Sequence, residues 1–369
     1  MRIVFVSYNS QFAYTNPVAW VEKIKTFAAF MSSLATKSEV SYIKQIDYEG
    51  NYTKDKVAYI FIRSRQKKSF FPFRINNRVK MLTPDIVIVS GIRSPLQIMQ
   101  LKWKLGRKTK LIGRHHADHV PGGIRKLLQR WTDQYFDSYL FTSAGDAQEW
   151  IDAGVISHAN KIFELPEAST AFSRKDRLQS RIKTSMQGDH NFLWVGRLNE
   201  NKDPVTVLRG FQQYLNKEPH ATLYMIFQTD DLLSTITSLI EQDEGLKKAV
   251  HLVGEVPYEE LAFWYSAADF FISASHREGG SYALLEAMAC GCIPIVTAIP
   301  AALKMTGNGK YAIVFNPGDV NDLVKKMEAL SLLKRMDFSN EVETYFKTHL
   351  SSGVLAARLY QHCQQLLLK

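Results

Sequence analysis

The stretch SHREGGSYALLEAMACGC, residues 275–292, sets Glu278 and Glu286 eight positions apart, with Gly279, Gly280 and Ser281 between them. Behind the turn, YALLEAMAC has the composition of a strong helix. The turn therefore offers open backbone N–H groups at a helix N-terminus, which suits an anion. A carboxylate beside a bound phosphate would repel it. Both glutamates instead suit hydrogen bonding to neutral hydroxyls on either side of the phosphates, the layout of a nucleotide sugar with ribose at one end and hexose at the other. Taken singly, Glu278 is also an ordinary first-turn acid favoured by the helix dipole, and Glu286 an ordinary paired helical glutamate.

A second stretch, WVGRLNENKDPVTVLRGF at 194–211, supplies positive charge. A strand ends at Gly196 and Arg197 projects from its end. Lys202 comes just before Asp203, which can cap a helix whose first residue is Pro204. An Arg that chelates phosphate oxygens and a Lys that acts as a mobile point charge make a diphosphate site at that helix mouth. Solvated loop cations are the plain alternative. In the first half, KLIGRHHADHVPGG ends a strand with His115 and His116, and a histidine in such a place is more often structural than catalytic.

These side chains need a frame, and the hydrophobic pattern supplies one. Short β-branched or aromatic runs at 2–8, 39–46, 57–62, 85–91, 110–116 and 138–144 are mostly separated by helix-length segments. The pattern restarts at 192–198, 222–227, 250–256, 270–275, 294–298 and 311–315. Such alternation predicts an α/β fold of two Rossmann-like halves, each a parallel sheet wrapped by helices. Two such domains facing each other leave a crevice, and ligands are expected in the βα loops at the carboxyl ends of the strands. The stretch STAFSRKDRLQSRIKTSMQGDHN is polar and charged, and predicts a linker. The expected division is an N-terminal domain over 1–172, a linker over 173–190, a C-terminal domain over 191–345 and a helical segment over 346–369. In that last segment Leu355, Leu359, Leu366 and Leu367 fall broadly toward one side of a helix.

At 369 residues and 46% hydrophobic, the chain has room for two cores. It holds no run of eighteen apolar residues, and MRIVFVSYNS goes straight into a strand pattern, so a cytosolic protein is expected. Cys290, Cys292 and Cys363 are too few for a disulfide framework and are expected to be buried thiols. The first βα turn, VSYNSQFAYTNP, has no glycine, which argues against nicotinamide and flavin cofactors. No Walker loop, zinc-binding helix or nucleophile elbow is present either. No Asp-x-Asp-like metal motif stands out, and neither a metal nor a cofactor is expected.

Charge is uneven. The net +10 divides into 30 bases against 16 acids over 1–190, hence +14, and 16 against 20 over 191–369, hence −4. The first half is therefore expected to meet something anionic. Its densest basic stretch, 63–80, mixes Arg63, Arg65, Lys67, Lys68, Arg74 and Arg78 with Phe70, Phe71 and Phe73. That mixture suits an anionic membrane face or a polyanionic acceptor, and equally a basic loop with its phenylalanines packed inward.

Together, VGRLNENKDPVTVLRGF, the Glu-x7-Glu of EGGSYALLEAMACGCIPIVT and the later FNPGDVNDLVKKM resemble the retaining family-four glycosyltransferases of the GT-B fold. The resemblance is close over about 190–330 and weaker over 1–170. It implies that Arg197 and Lys202 hold the donor diphosphate, Glu286 the ribose hydroxyls and Glu278 hydroxyls of the transferred sugar. Backbone N–H groups from Gly279 to Ser281 complete the donor site, with Gly196 and Tyr282 beside them. It also implies that His116, with His115 as the alternative, faces the donor sugar. Transfer would proceed with retention and without a metal, from a nucleoside diphosphate sugar to a saccharide, lipid-linked or other small acceptor. The C-terminal helix would cross back to the first domain, and the protein would be cytoplasmic, with peripheral attachment at the inner membrane face as a further expectation. Three turns depart from the family pattern: YNSQFAYTNPVAW after the first strand, Glu-Gly-Gly-Ser in place of Glu-Gly-aromatic-Gly, and AIPAALKMTGNG after PIVT. Acceptor contacts do not carry over for that reason. A nucleotide-sugar epimerase is one rival. A basic nucleic-acid-binding module is another, but no nucleic-acid motif supports it and nucleic acid is not an expected partner.

Overall fold

A computed structural model describes residues 1–63, 72–116, 118–167 and 169–369. The chain forms two compact units, Met1–Ser169 with Ser352–Lys369, and Thr170–Ser351.

In unit 1 the described strands are β1 (Arg2–Gln11), β2 (Glu39–Ile46), β3 (Gly50–Lys54), β4 (Val57–Arg63), β5 (Ile86–Ser90), β6 (Lys110–Arg114), β7 (Ser138–Phe141) and β8 (Ile162–Glu164). Their order is β3-β4-β2-β1-β5-β6-β7-β8. All pair in parallel except β3, which runs antiparallel to β4. The alternation of side chains explains the layers. Ile3, Phe5, Ile86 and Ile88 enter one core while Val4, Val6, Val87 and Val89 enter the other, so the central strands are buried on both faces. The polar edge strand GNYTK carried no apolar run to announce it, and most of its residues are exposed.

In unit 2 the strands are β9 (Asn191–Gly196), β10 (Thr222–Phe227), β11 (Val250–Gly254), β12 (Phe270–Ser273), β13 (Ile293–Thr297) and β14 (Ile313–Phe315). They pair in parallel in the order β11-β10-β9-β12-β13-β14. The chain winds one way from β9 to β11 and the other way from β12 to β14. The switch between β9 and β12 splays apart the loops that follow them, which is where open α/β sheets bind ligands.

The segment 173–190, expected as a linker, contains the helix Arg177–Thr184. It docks by charge: Arg177 and Arg181 both pair with Asp269, a buried residue just before β12, at 3.6 Å for Arg181. Residues 346–369, expected as one segment, divide between the units. Phe346–Leu350 closes unit 2, whereas the helix Ser352–Leu367 belongs to unit 1. There it packs on the helix Lys25–Leu34 through Leu355, Ala356, Leu359, Cys363 and Leu366. Leu367 does not join them; it lies next to Leu366 but about 100° further round the helix, and is 39% exposed. The three cysteines are buried and unpaired. Among the described residues no helix is long and apolar enough to cross a membrane.

Candidate active site

The loop after β9 leaves Arg197 exposed at the strand end. It then turns back through Asn199, whose side chain accepts from the Lys202 amide at 3.1 Å. Asp203 sits in left-handed backbone at φ 42° and caps the helix Pro204–Tyr214, accepting from the Thr206 amide at 3.0 Å and its hydroxyl at 2.6 Å. Helix capping thus fixes the loop that carries the two cations.

The loop after β12 is joined to it at several points. The His276 amide donates to the Asn201 carbonyl at 2.9 Å, and Asn201 Nδ2 donates to the Arg277 carbonyl at 3.0 Å. The His276 ring meets Asp203 Oδ2 at 3.1 Å. Beyond these, Lys202 Nζ pairs with Glu278 Oε1, both side chains being mostly buried. Lys202 and Glu278 come from loops 76 residues apart, and the β9–β12 switch brings them to one place. Gly196 stands close by: a Cβ there would lie 3.1 Å from the Trp194 ring and 3.7 Å from Lys202 Cγ. Glycine therefore leaves room for the Trp194 ring beside the lysine stem.

Ser281 caps the helix Tyr282–Ala289, accepting from the Leu284 amide at 3.3 Å, and Tyr282 starts that helix at 38% exposure. Glu286 lies one turn in and is 4% exposed. Its carboxylate is seated by two tyrosines. The Tyr265 hydroxyl donates to Oε2 at 3.2 Å, and Tyr258 makes a second hydrogen bond. Burial, and then the charge of Glu286, push both phenols far above their usual range, so they stay protonated as donors. Tyr258 and Tyr265 had no motif to mark them in the sequence. Their function follows only from where the fold puts Glu286.

In unit 1, β6 ends at Arg114, so His115 and His116 lie just past the strand. Their environments differ sharply. His115 is 4% exposed, stacks on Phe141 with ring centroids 4.4 Å apart, and is pushed below the usual imidazole range, chiefly by burial. Its ring is part of the core. The half-exposed His116 has Nδ1 3.1 Å from Glu167 Oε1. Burial acts to raise the Glu167 carboxyl, but His116 and Arg114 outweigh it and hold it below the usual carboxylate range. Arg114 donates to the Glu167 carbonyl at 2.7 Å and lies over the Phe27 ring. Glu167 thus orients His116, a role the stretch KIFELPE gave no sign of.

Lys44 is another residue that sequence reading passed over. It interrupts the apolar pattern of β2, is 5% exposed, donates to Ser7 Oγ at 3.1 Å and faces the Trp20 ring. Burial pushes its ammonium down to about 8.

The basic stretch 63–80 falls only partly among the described residues. Arg65, Lys67, Lys68, Phe70 and Phe71 lie outside the described residues. Of the rest, Arg63 pairs with Asp47 at 3.0 Å and Arg74 with Glu49 at 2.8 Å, and Arg78 approaches Asn51. Much of the charge on these described residues is already matched within the unit.

One mainly parallel and one wholly parallel sheet, with paired cation and carboxylate loops at the switch point of the second, define a GT-B type protein. Solved structures match it over nearly the whole chain. A Rickettsia africae glycosyltransferase gives a TM-score of 0.75 at 15% identity, covering 99% of this chain and 98% of that one. Anabaena HepE in complex with UDP-glucose gives 0.72 at 11%, covering 99% and 100%. Residues 176–345 match the family of glycosyl transferases group 1. Among curated relatives, a GDP-mannose:cellobiosyl-diphosphopolyprenol alpha-mannosyltransferase of Xanthomonas campestris is 27% identical over 261 residues, covering 69% of this chain and 66% of the relative. A sulfoquinovosyl transferase of Arabidopsis thaliana is 37% identical over 284 residues, covering 70% and 52%. The chain spans 38% of the length of the Xanthomonas oryzae mannosyltransferase that it also matches.

Proposed function

We propose that this protein transfers a hexosyl group from a nucleoside diphosphate sugar to an acceptor hydroxyl, with retention at the anomeric carbon and without a metal. The observation that carries the reading is the junction of the β9 and β12 loops, where Lys202 meets Glu278 while Glu286 is held nearby in the same β12-to-helix segment. Arg197 and Lys202 take the diphosphate, and the backbone N–H groups of Gly279 to Ser281 add the partial positive charge of a helix N-terminus. As the glycosidic bond breaks, negative charge grows on the departing diphosphate, and these fixed positive groups stabilise it most in the transition state. Glu286 reads the ribose hydroxyls. Glu278 reads the hexose and, when no phosphate is bound, keeps Lys202 in place. His116, oriented by Glu167, is the candidate catalytic histidine of unit 1.

The acceptor is a saccharide or a lipid-linked saccharide. The names of the Xanthomonas relatives support the lipid-linked class, and the structure of HepE with UDP-glucose supports a nucleotide-sugar donor. Cytoplasmic placement and peripheral attachment to an anionic membrane belong to the same reading, on the charge of the first half.

Lys202→Ala is expected to lower donor turnover by about 100-fold or more, the usual loss when one charge-stabilising donor is removed. Glu286→Gln is expected to weaken nucleotide binding by roughly tenfold. Near-wild-type values for both variants would sink the assignment. An epimerase would convert donor with no acceptor present, so product analysis with donor alone separates the two enzymes.

A further inference from the structure

The helix Gly123–Thr132 in unit 1 is turned against the usual rule. Its buried residues are Gln129 and Thr132, with Gln129 donating to the Ile92 carbonyl, while Ile124, Leu127 and Trp131 are 78%, 64% and 57% exposed. At about 100° per residue these three fall within roughly 60° of one another, with Arg125 and Arg130 on either side of the stripe. The neighbouring helix Pro95–Leu105 packs alongside and adds Trp103, 91% exposed. Single exposed apolar residues are ordinary, but Ile124, Leu127 and Trp131 together along one side of a helix form a stripe that marks an interaction surface.

Charge selects the occupant. The two helices hold five bases and no Asp or Glu, and the exposed Arg107 and Lys108 follow directly after the first. A second copy of the chain would set this positive surface against itself, and an ordinary mixed-charge protein surface matches only part of it. An anionic bilayer fits throughout: the apolar stripe enters the acyl boundary while the flanking guanidinium and ammonium groups stay among the phosphates.

We propose that this two-helix face is the surface by which the protein docks on an anionic lipid membrane. It is distinct from the 63–80 stretch and independent of the transfer reaction.

Co-sedimentation of the full chain with phosphatidylcholine vesicles, with and without about one third phosphatidylglycerol, tests it at about 50 mM and about 500 mM salt. Binding is expected on the anionic vesicles at low salt, with strong loss at high salt. The double variant Leu127→Gln/Trp131→Gln is expected to bind at least about tenfold more weakly. Arg125→Ser/Arg130→Ser is expected to lose roughly 25-fold, about fivefold per base. Melting temperature and nucleotide binding should not move in either, because all four side chains are on the surface. In the wild-type chain, brominated lipid should quench tryptophan fluorescence. No vesicle binding, equal binding to neutral vesicles, equal binding by the variants, or no quenching would each overturn the proposal. So would a concentration-dependent dimer that the apolar variant abolishes in the absence of vesicle binding.

Discussion

Lys202 and Glu278 hold one another across two loops, and that pairing has a consequence for ligands. A diphosphate must draw Lys202 from Glu278 and then lie near a carboxylate that repels it. Glu278→Gln is therefore expected to bind nucleoside diphosphate several-fold more tightly while losing most of its transfer activity, because the hexose contact goes with the charge. Calorimetric titration beside a turnover assay checks this; weaker nucleotide binding in the variant would contradict it. Lys44 offers a test by pH. The unfolded chain protonates Lys44 near 10.5 and the folded chain only near 8, so burial withholds stability as the pH falls through that window, and fully below it. Lys44→Met is accordingly expected to stabilise the protein at pH 7 by roughly 2 kcal/mol, with the gain fading toward pH 10.5. Denaturant midpoints across that range measure it, and a gain that does not change with pH would contradict the buried charge.

Among the elements, the turn after the helix Tyr282–Ala289 is the most constrained. Gly291 has φ +71°, and a Cβ there would lie 1.7 Å from Arg174 Nη2. Arg174 in turn joins Glu343 at 3.0 Å and the Ser339 hydroxyl at 2.8 Å. Gly291→Ala should cost about 2–4 kcal/mol by displacing that arginine and straining the backbone. With Arg174→Ala already present only the backbone strain, about 1–2 kcal/mol, should remain; fully additive losses would contradict the clash. The C-terminal helix has its own pH signature. His362 stacks on Phe163 and meets Ser138 Oγ at 2.8 Å, and burial followed by the charge of Lys369 pushes it down to about 4. The unfolded chain takes up this proton near 6.5, so stability falls between pH 6.5 and about 4. His362→Gln should flatten that fall, and parallel curves would contradict it.

The elements also explain what the sequence could reveal. Strands buried on both faces were legible because their apolar runs are local: Glu39–Ile46 and Thr222–Phe227 match to the residue. The helix Arg177–Thr184 was not, because it docks through Arg177 and Arg181 onto Asp269, which lies about ninety positions away. Edge strand β3 was hidden by its polar, glycine-led composition. In the site, Asp203 was legible as the cap of a local helix and Gly279 to Ser281 as the turn before another, whereas Tyr258, Tyr265, Glu167 and the Lys202–Glu278 pairing depend on contacts set by sheet order.

At the scale of the whole molecule, the two units divide the work by charge. In unit 2, Arg197 and Lys202 stand at one candidate diphosphate site, while the basic residues of unit 1 include a two-helix face with no acid in either helix. The central claim is that unit 2 binds a nucleoside diphosphate sugar through Lys202 and Glu286. Thermal denaturation of the full chain against a panel of such sugars tests it most directly. At least one is expected to raise the melting temperature, by an amount worth about 2.7 kcal/mol at a hundredfold excess over its Kd. Lys202→Ala and Glu286→Gln should each raise that Kd by about tenfold or more. A panel with no stabilising sugar, or equal stabilisation of the wild type and both variants, would contradict the account.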